Sequence, residues 1–169
     1  MLGNFFPVVT GKKDANYSTE NGQYPFFTCS QRILKAPGYS FEGKAILLAG
    51  NGDFNVKRCD GKFEAYQRTY VLIPFQEKYF NFLFVLIKYF LAEITGGHQG
   101  SVINFITKGM ITDFRVQIPN NDFQDKLSIF DRIFDKIDFN YVQIRTFEKL
   151  RDTLLPKLMS GEVRVKGVS

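Results

Sequence analysis

One long helix is predicted by residues 120–160, whose sequence is NNDFQDKLSIFDRIFDKIDFNYVQIRTFEKLRDTLLPKLMS. Its apolar residues recur at alternating intervals of four and three positions, which is typical of a coiled-coil seam. The predicted seam, whose spacing changes after Ile144, consists of Leu127, Phe130, Phe134, Ile137, Tyr141, Ile144, Leu150 and Leu154. A helix of this length is not stable alone in water, so the seam requires a partner.

The two ends of this helix carry recognisable signals. Pro119 ends the preceding segment, and Asn121 with Gln124 fits a capping box. Pro156 and then Ser160-Gly161 mark the predicted end. The chain is therefore predicted to contain a globular domain at residues 1–119, the helix at 120–160 and a C-terminal tail at 161–169.

Short strand signals dominate the first half of the globular domain. Residues 24–28 (YPFFT) are strand-like, and Pro25 favours the edge of a sheet. Residues 44–49 predict a buried strand. Residues 50–53 (GNGD) predict the turn that follows it, most simply a hairpin. Asp60-Gly61 is the strongest hairpin signal in the chain.

Later in the domain the apolar spacing changes. Residues 76–95 repeat at three and four positions and predict a helix buried on most sides, and residues 114–118 predict a last strand. The fold class is therefore α+β: a curled mixed or antiparallel sheet with a packed helix, followed by one long coiled-coil helix.

Composition and charge limit the class of protein. The chain has 169 residues, of which 44% are hydrophobic, and its net charge is +5. Most of that excess lies in residues 1–119, and a basic domain suits a polyanionic partner. Two widely spaced cysteines indicate a reducing compartment. No signal peptide or membrane-spanning run is present, so we expect a cytoplasmic protein with no membrane partner.

Motifs of catalysis are missing from the sequence. It contains no glycine-rich phosphate loop and no zinc-protease motif, and its only histidine, His98, lacks a second metal ligand nearby. A single histidine in a Gly-Gly-His-Gln-Gly loop is more simply a polar loop residue. We therefore predict that the chain is not an enzyme and binds no metal.

Several segments together resemble specificity subunits of type I restriction–modification systems. Residues 96–101 (GGHQGS), 103–105 (INF) and 114–119 (FRVQIP) resemble the end of their target-recognition domain. The long helix, with its IDFN core at 137–140 and the ending LRDTLLPKLMSGEV at 150–163, resembles their conserved spacer helix. Residues 8–13 and 24–28 fit the opening of such a domain, so the resemblance covers nearly the whole chain.

The resemblance implies a function and a set of partners. Members of this family usually carry two recognition domains and two spacer helices, whereas this chain has one of each and is similar to a half-subunit. A homodimer through the seam would then bind double-stranded DNA at a two-part palindromic site. The chain would direct type I methyltransferase subunits and, through them, the restriction subunit. S-adenosylmethionine, ATP and Mg are expected only on those partners, so no cofactor is expected here. The alternative is an interaction-only half-subunit without productive DNA recognition.

Candidate DNA contacts follow from residue chemistry. Lysine and arginine bind phosphates, whereas polar side chains read base edges. The candidates are Lys12, Lys13, Tyr17, Gln23, Lys57, Arg58, Lys62, Gln67, Arg68, His98, Gln99 and Ser101. The densest basic cluster in the sequence lies at residues 57–68, and Tyr39 and Asn51 are further possible readers. The alternative for each lysine is an ordinary solvated surface.

Overall fold

A computed structural model describes residues 1–96, 105–118 and 126–163 of the chain. It divides into two compact units, Met1–Leu127 and Ser128–Ser169. The first unit combines two four-stranded sheets with short helices, and the second contains one long helix. The predicted α+β class is confirmed.

Eight strands and three helices make up the described part of the first unit, together with three short 3-10 turns. They are β1 (Val8–Thr10), β2 (Tyr24–Phe27), β3 (Leu34–Ala36), β4 (Phe41–Glu42), β5 (Ala45–Ala49), β6 (Val56–Cys59), β7 (Lys62–Ala65), β8 (Thr69–Leu72), α1 (Phe80–Tyr89), α2 (Leu91–Ile94) and α3 (Lys108–Thr112). One sheet has the order β1-β8-β5-β6 and is antiparallel throughout. The other has the order β3-β2-β7-β4, in which β2 and β7 run parallel.

One antiparallel ribbon joins the two sheets. β5 pairs with β6, and β4 pairs with β7 in the same continuous register. Between the two pairs, Gly43 and Gly61 exchange backbone hydrogen bonds of 3.0 and 3.3 Å. Both glycines have positive φ, +120° and +112°, which lets the ribbon bend sharply from one sheet to the other.

The ribbon explains one correct turn prediction and one wrong one. The hairpin at residues 50–53 is confirmed, because it connects the paired strands β5 and β6. The hairpin predicted at Asp60-Gly61 is wrong, because β6 and β7 do not pair with each other. Gly61 has the positive φ that is typical of glycine in a tight turn, but here this conformation bends the ribbon strand between β6 and β7.

The core of the first unit contains side chains from both sheets. Phe27 and Phe63 meet edge to face with 5.8 Å between ring centroids, and Leu47 and Val71 belong to the same buried cluster. The helix predicted for residues 76–95 is confirmed as α1 and α2, preceded by a 3-10 turn. α1 contacts β5 and β6, so it covers the outer strand of the first sheet.

Two strand predictions are corrected. Pro25 lies on β2, which is an interior strand; the ladder with β7 starts only at Phe26, so that side does not need the missing N–H of the proline. Residues 114–118 form no strand. Exposure still alternates along them, and Phe114 O accepts a backbone hydrogen bond from Leu2 N at 2.9 Å.

The long helix of the second unit, α4, spans Ser128–Met159 and is about 48 Å long at 1.5 Å per residue. Its predicted start at residue 120 lies outside the described residues, and Lys126 and Leu127, which the prediction included, form a turn before the helix. Pro156 does not end the helix, which continues to Met159, and Ser160 N donates to Pro156 O at 2.9 Å. The end comes at Gly161, whose φ of +76° and N–H bond to Leu158 O are typical of a helix C-cap. No helix in the described parts of the chain is long and apolar enough to cross a bilayer.

Replacing Gly61 by alanine tests the bend of the ribbon. We expect Gly61→Ala to lower the free energy of unfolding by roughly 1–3 kcal/mol, because alanine at positive φ is strained. No atom of the described residues lies within 4 Å of the added methyl group, so the expected loss comes from backbone strain. Gly109→Ala in α3 is the matched control, since among the described residues its methyl group would meet Asp113 Oδ2 at an ordinary contact distance of 3.7 Å. Equal stabilities of the two variants in urea denaturation would contradict the bend.

Because of the Cys59 thiol, we expect the free energy of unfolding to fall at alkaline pH. Burial raises the pKa of Cys59 from 9.0 to about 11, and Asp60 adds to the shift. Between these values the thiol ionises in the unfolded chain but stays protonated in the folded one, so unfolding becomes easier as pH rises. After discounting for solvent screening of this partly exposed group, we expect a loss of about 1–2 kcal/mol. The difference between wild type and Cys59→Ala, measured at pH 8 and pH 11, isolates this effect; a constant difference would refute it.

Candidate nucleic-acid interface

Three loops of the first unit meet at one surface. The segment Lys12-Lys13 follows β1, residues 66–68 connect β7 to β8, and residues 50–53 connect β5 to β6. Gln67 N donates to Lys13 O at 2.9 Å, and Gly50 N donates to Arg68 O at 2.9 Å. These backbone bonds bring three distant parts of the sequence to the same place.

Two glycines permit this close approach. A Cβ atom at position 11 would lie 2.2 Å from Tyr66 O, and one at position 50 would lie 2.5 Å from Arg68 O. Neither distance is compatible with a real side chain. Gly11 and Gly50 therefore determine how tightly the loops pack.

A cavity of about 260 Å³ with both polar and apolar side chains in its wall lies at this meeting point. Its walls include Asn51, Gln67, Arg68, Tyr70 and Phe105. Gln67 Nε2 donates to Asp14 Oδ2 at 3.3 Å, and Asn51 Oδ1 accepts a hydrogen bond from Cys29 Sγ at 2.9 Å. Arg68 has no ion pair among the residues that the structure describes, so its charge remains available to an anionic ligand.

Lysines and tyrosines lie together near the second sheet. Lys13 Nζ is 4.6 Å from the centre of the Tyr17 ring, and Lys62 Nζ is 4.8 Å from that of Tyr39. The Tyr24 and Tyr39 rings are 4.9 Å apart. A hydrogen bond with Tyr39 is the main cause that raises the pKa of Lys62, and its side chain is a cation at neutral pH. Lys12 Nζ lies 5.2 Å from the Phe41 ring centre.

The basic cluster of the sequence does not form one patch in the fold. Lys57 Nζ donates to Thr28 O at 3.1 Å, and burial lowers the pKa of Lys57. Arg58 lies on β6 and donates to Asn81 Oδ1 of α1 at 3.4 Å. Lys62 contacts Tyr39, as described above, and Arg68 lines the cavity. These four side chains therefore contact four different parts of the fold.

The remaining candidates fall into two groups. Gln23 is exposed just before β2, and Tyr17 is half-buried beside Lys13. His98, Gln99 and Ser101 lie outside the described residues. The sequence contains no local pattern that links Cys29 or Phe105 with the Gln67 loop, because these positions lie far apart in the chain.

The apolar seam of α4 is exposed along most of the helix. Ile137, Tyr141, Ile144, Leu150 and Leu154 are exposed, and Tyr141 retains 61% of its accessible surface. Phe130 and Phe134 are half-buried. Leu127 precedes the helix and is buried in the first unit, with 2% exposure, so its side chain is not part of this exposed face.

Comparison with known proteins assigns the family. Residues 1–146 match the model of the type I restriction modification DNA specificity domain. The type I restriction enzyme EcoDI specificity subunit of Escherichia coli is 36% identical over 167 residues, which are 96% of this chain and 37% of that protein. The MjaIX specificity subunit of Methanocaldococcus jannaschii is 34% identical over 91 residues, which are 53% of this chain and 21% of that protein.

Solved structures show the same fold. The crystal structure of the type I restriction–modification S subunit from M. genitalium matches with a TM-score of 0.74 at 20% identity, covering 94% of this chain and 44% of that one. The HsdS subunit from Thermoanaerobacter tengcongensis matches with a TM-score of 0.55 at 14% identity, covering 96% and 44%. The chain spans less than half the length of each of these relatives. It belongs to the type I restriction modification DNA specificity family.

Proposed function

We propose that this chain recognises a DNA sequence and acts as a specificity subunit of a type I restriction–modification complex. The observation that carries the proposal is that, in a chain from this family, backbone hydrogen bonds hold the Lys12-Lys13 segment against the turn that carries Gln67 and Arg68. Cationic side chains bind phosphates, while amides beside them read base edges. Lys62, Tyr17 and Gln23 would extend the contact area away from the cavity.

The chemistry of modification and cleavage is assigned to other subunits. In this proposal the methyltransferase subunits hold S-adenosylmethionine, and ATP and Mg belong to the partners as well. This chain would contribute binding and position only. The methyltransferase would dock on α4, and through it the restriction subunit would join the complex.

We further propose that two copies associate through α4. The support is the exposed seam, because large contiguous apolar faces of soluble proteins are usually covered by a partner. Two copies related by a two-fold axis would present two identical recognition domains. Such a dimer would bind a palindromic site in two parts.

Salt dependence tests the phosphate contacts. We expect the double variant Lys12→Gln/Lys13→Gln to reduce the slope of log affinity against log salt by about 2, since each lysine releases roughly one counterion. Lys88→Gln on α1 is the control, because Lys88 is exposed on a different element and contacts Phe84. Fluorescence anisotropy with duplex DNA between 50 and 200 mM salt measures the slopes. If the wild-type chain bound no duplex DNA even at 50 mM salt, the interaction-only alternative would replace this proposal.

Light scattering tests the dimer. We expect the wild-type chain to have twice the mass of the 19.5 kDa monomer at micromolar concentration, and Ile144→Asp to be monomeric because it buries a charge in the seam. Val142→Asp is the matched control: Val142 is 64% exposed and lies on the opposite side of the same helix. A monomeric wild type, or equal loss in both variants, would contradict association through this face.

A further inference from the structure

We propose that Asn51 reads an adenine in duplex DNA, and that the Cys29 thiol fixes the direction of the Asn51 amide. The inference rests on the proposed DNA-binding function and adds a specificity residue and a positioning residue to it. It starts from a side-chain contact: Cys29 Sγ lies 2.9 Å from Asn51 Oδ1.

The thiol has one proton and two acceptors within reach. Asn51 Oδ1 at 2.9 Å is closer than Arg68 O at 3.3 Å, so the proton points to the amide. This contact holds the amide with its oxygen towards Cys29. Asn51 Nδ2 has no partner in the described parts of the chain, and Asn51 lines the cavity. Two N–H donors therefore remain for a ligand.

The free groups of Asn51 match the edge of adenine. An amide oxygen has two lone pairs, so Asn51 Oδ1 can accept from the adenine N6 amino group while it keeps the thiol. Asn51 Nδ2 would donate to N7 at the same time. This two-bond pairing between asparagine and adenine is specific in the major groove.

Phe105 provides a second, independent reason for an A·T pair. Its backbone forms a bridge with Asn51, and its ring stays 56% exposed beside the cavity. The next residue is held firmly: Ile106 N donates to Gly50 O at 2.8 Å, and Tyr70 Oη donates to Ile106 O at 2.8 Å. An exposed aromatic ring on a hydrogen-bonded backbone segment, next to an adenine reader, suits contact with the methyl group of the paired thymine.

The segment that carries the thiol is also fixed. Asn55 Nδ2 donates to Cys29 O at 2.7 Å and to Asp53 O at 2.8 Å. Asn55 is buried, with 6% exposure, so these bonds are protected from water. These bonds tie Cys29 to the turn that carries Asn51, as a positioning residue requires.

Selection from a randomised duplex pool tests the reader. The full-length wild type should enrich a motif that contains an A·T pair, and Asn51→Ala should lose the preference at one such position only. The expected loss of discrimination there is about 5- to 150-fold, the range for one two-bond base contact. Gln76→Ala is the matched control, because Gln76 is an exposed amide outside the cavity.

A variant that gains a new base preference gives a test that misfolding cannot imitate. Asn51→Asp keeps the acceptor for Cys29 but replaces the amide donor by a second acceptor. Carboxylates accept hydrogen bonds from the cytosine amino group, so the preference at that position should move from adenine to cytosine. A variant that merely misfolds would bind no duplex and would acquire no new preference.

Two further variants test the roles of Cys29 and Phe105. Cys29→Ala should weaken the base preference at the same motif position as Asn51→Ala does, without weakening binding to random duplex. Cys29→Ser should keep the preference, because a hydroxyl group also donates a hydrogen bond. Replacing the paired thymine by uracil should weaken wild-type binding about 3- to 4-fold, the effect of one methyl group. Phe105→Ala should show no such difference.

The outcomes separate the two proposals. If the wild type enriches no sequence, DNA recognition by this chain is wrong and the Asn51 assignment fails with it. If the wild type enriches a motif that Asn51→Ala and Asn51→Asp leave unchanged, only the Asn51 assignment is wrong. If Cys29→Ala keeps the motif of the wild type, Cys29 does not position the amide.

Discussion

The paired bend at Gly43 and Gly61 is the constraint on which the first unit depends. These residues hydrogen-bond to each other while both keep positive φ, so one ribbon can serve two sheets without losing register. Because the ribbon contributes strands to both sheets, it places Leu47 and Phe63 in one common core. A single backbone conformation thereby fixes the relation between the sheets.

The same ribbon positions the candidate interface. Its hairpin end carries Asn51, and the neighbouring strand β8 begins at the turn that carries Gln67 and Arg68. Gly50 lets the two turns approach within hydrogen-bonding distance, and the Cys29 thiol ties them from the other side. The polar groups that would read DNA are therefore held by the sheets themselves, which gives the fixed geometry that base recognition requires.

Sequence periodicity was informative where structure is local. The apolar spacing in residues 76–95 and 120–160 predicted helices, and the glycine-rich turn at residues 50–53 predicted a hairpin. These predictions succeeded because such elements depend on neighbours within about four residues. The family was also readable from short motifs. Local signals led to wrong predictions at Asp60-Gly61 and Pro25, because the structure there depends on which distant strand pairs with these segments.

The sequence by itself therefore determined the α+β class, the long helix with its apolar seam, and the family. Only the tertiary structure decided which polar residues act together. It dispersed the basic residues 57–68 among four surroundings, and it gathered Cys29, Asn51, Gln67 and Phe105, which no spacing connects. The physical reason is that strand pairing acts between residues far apart in the chain, whereas sequence patterns report only the preferences of near neighbours.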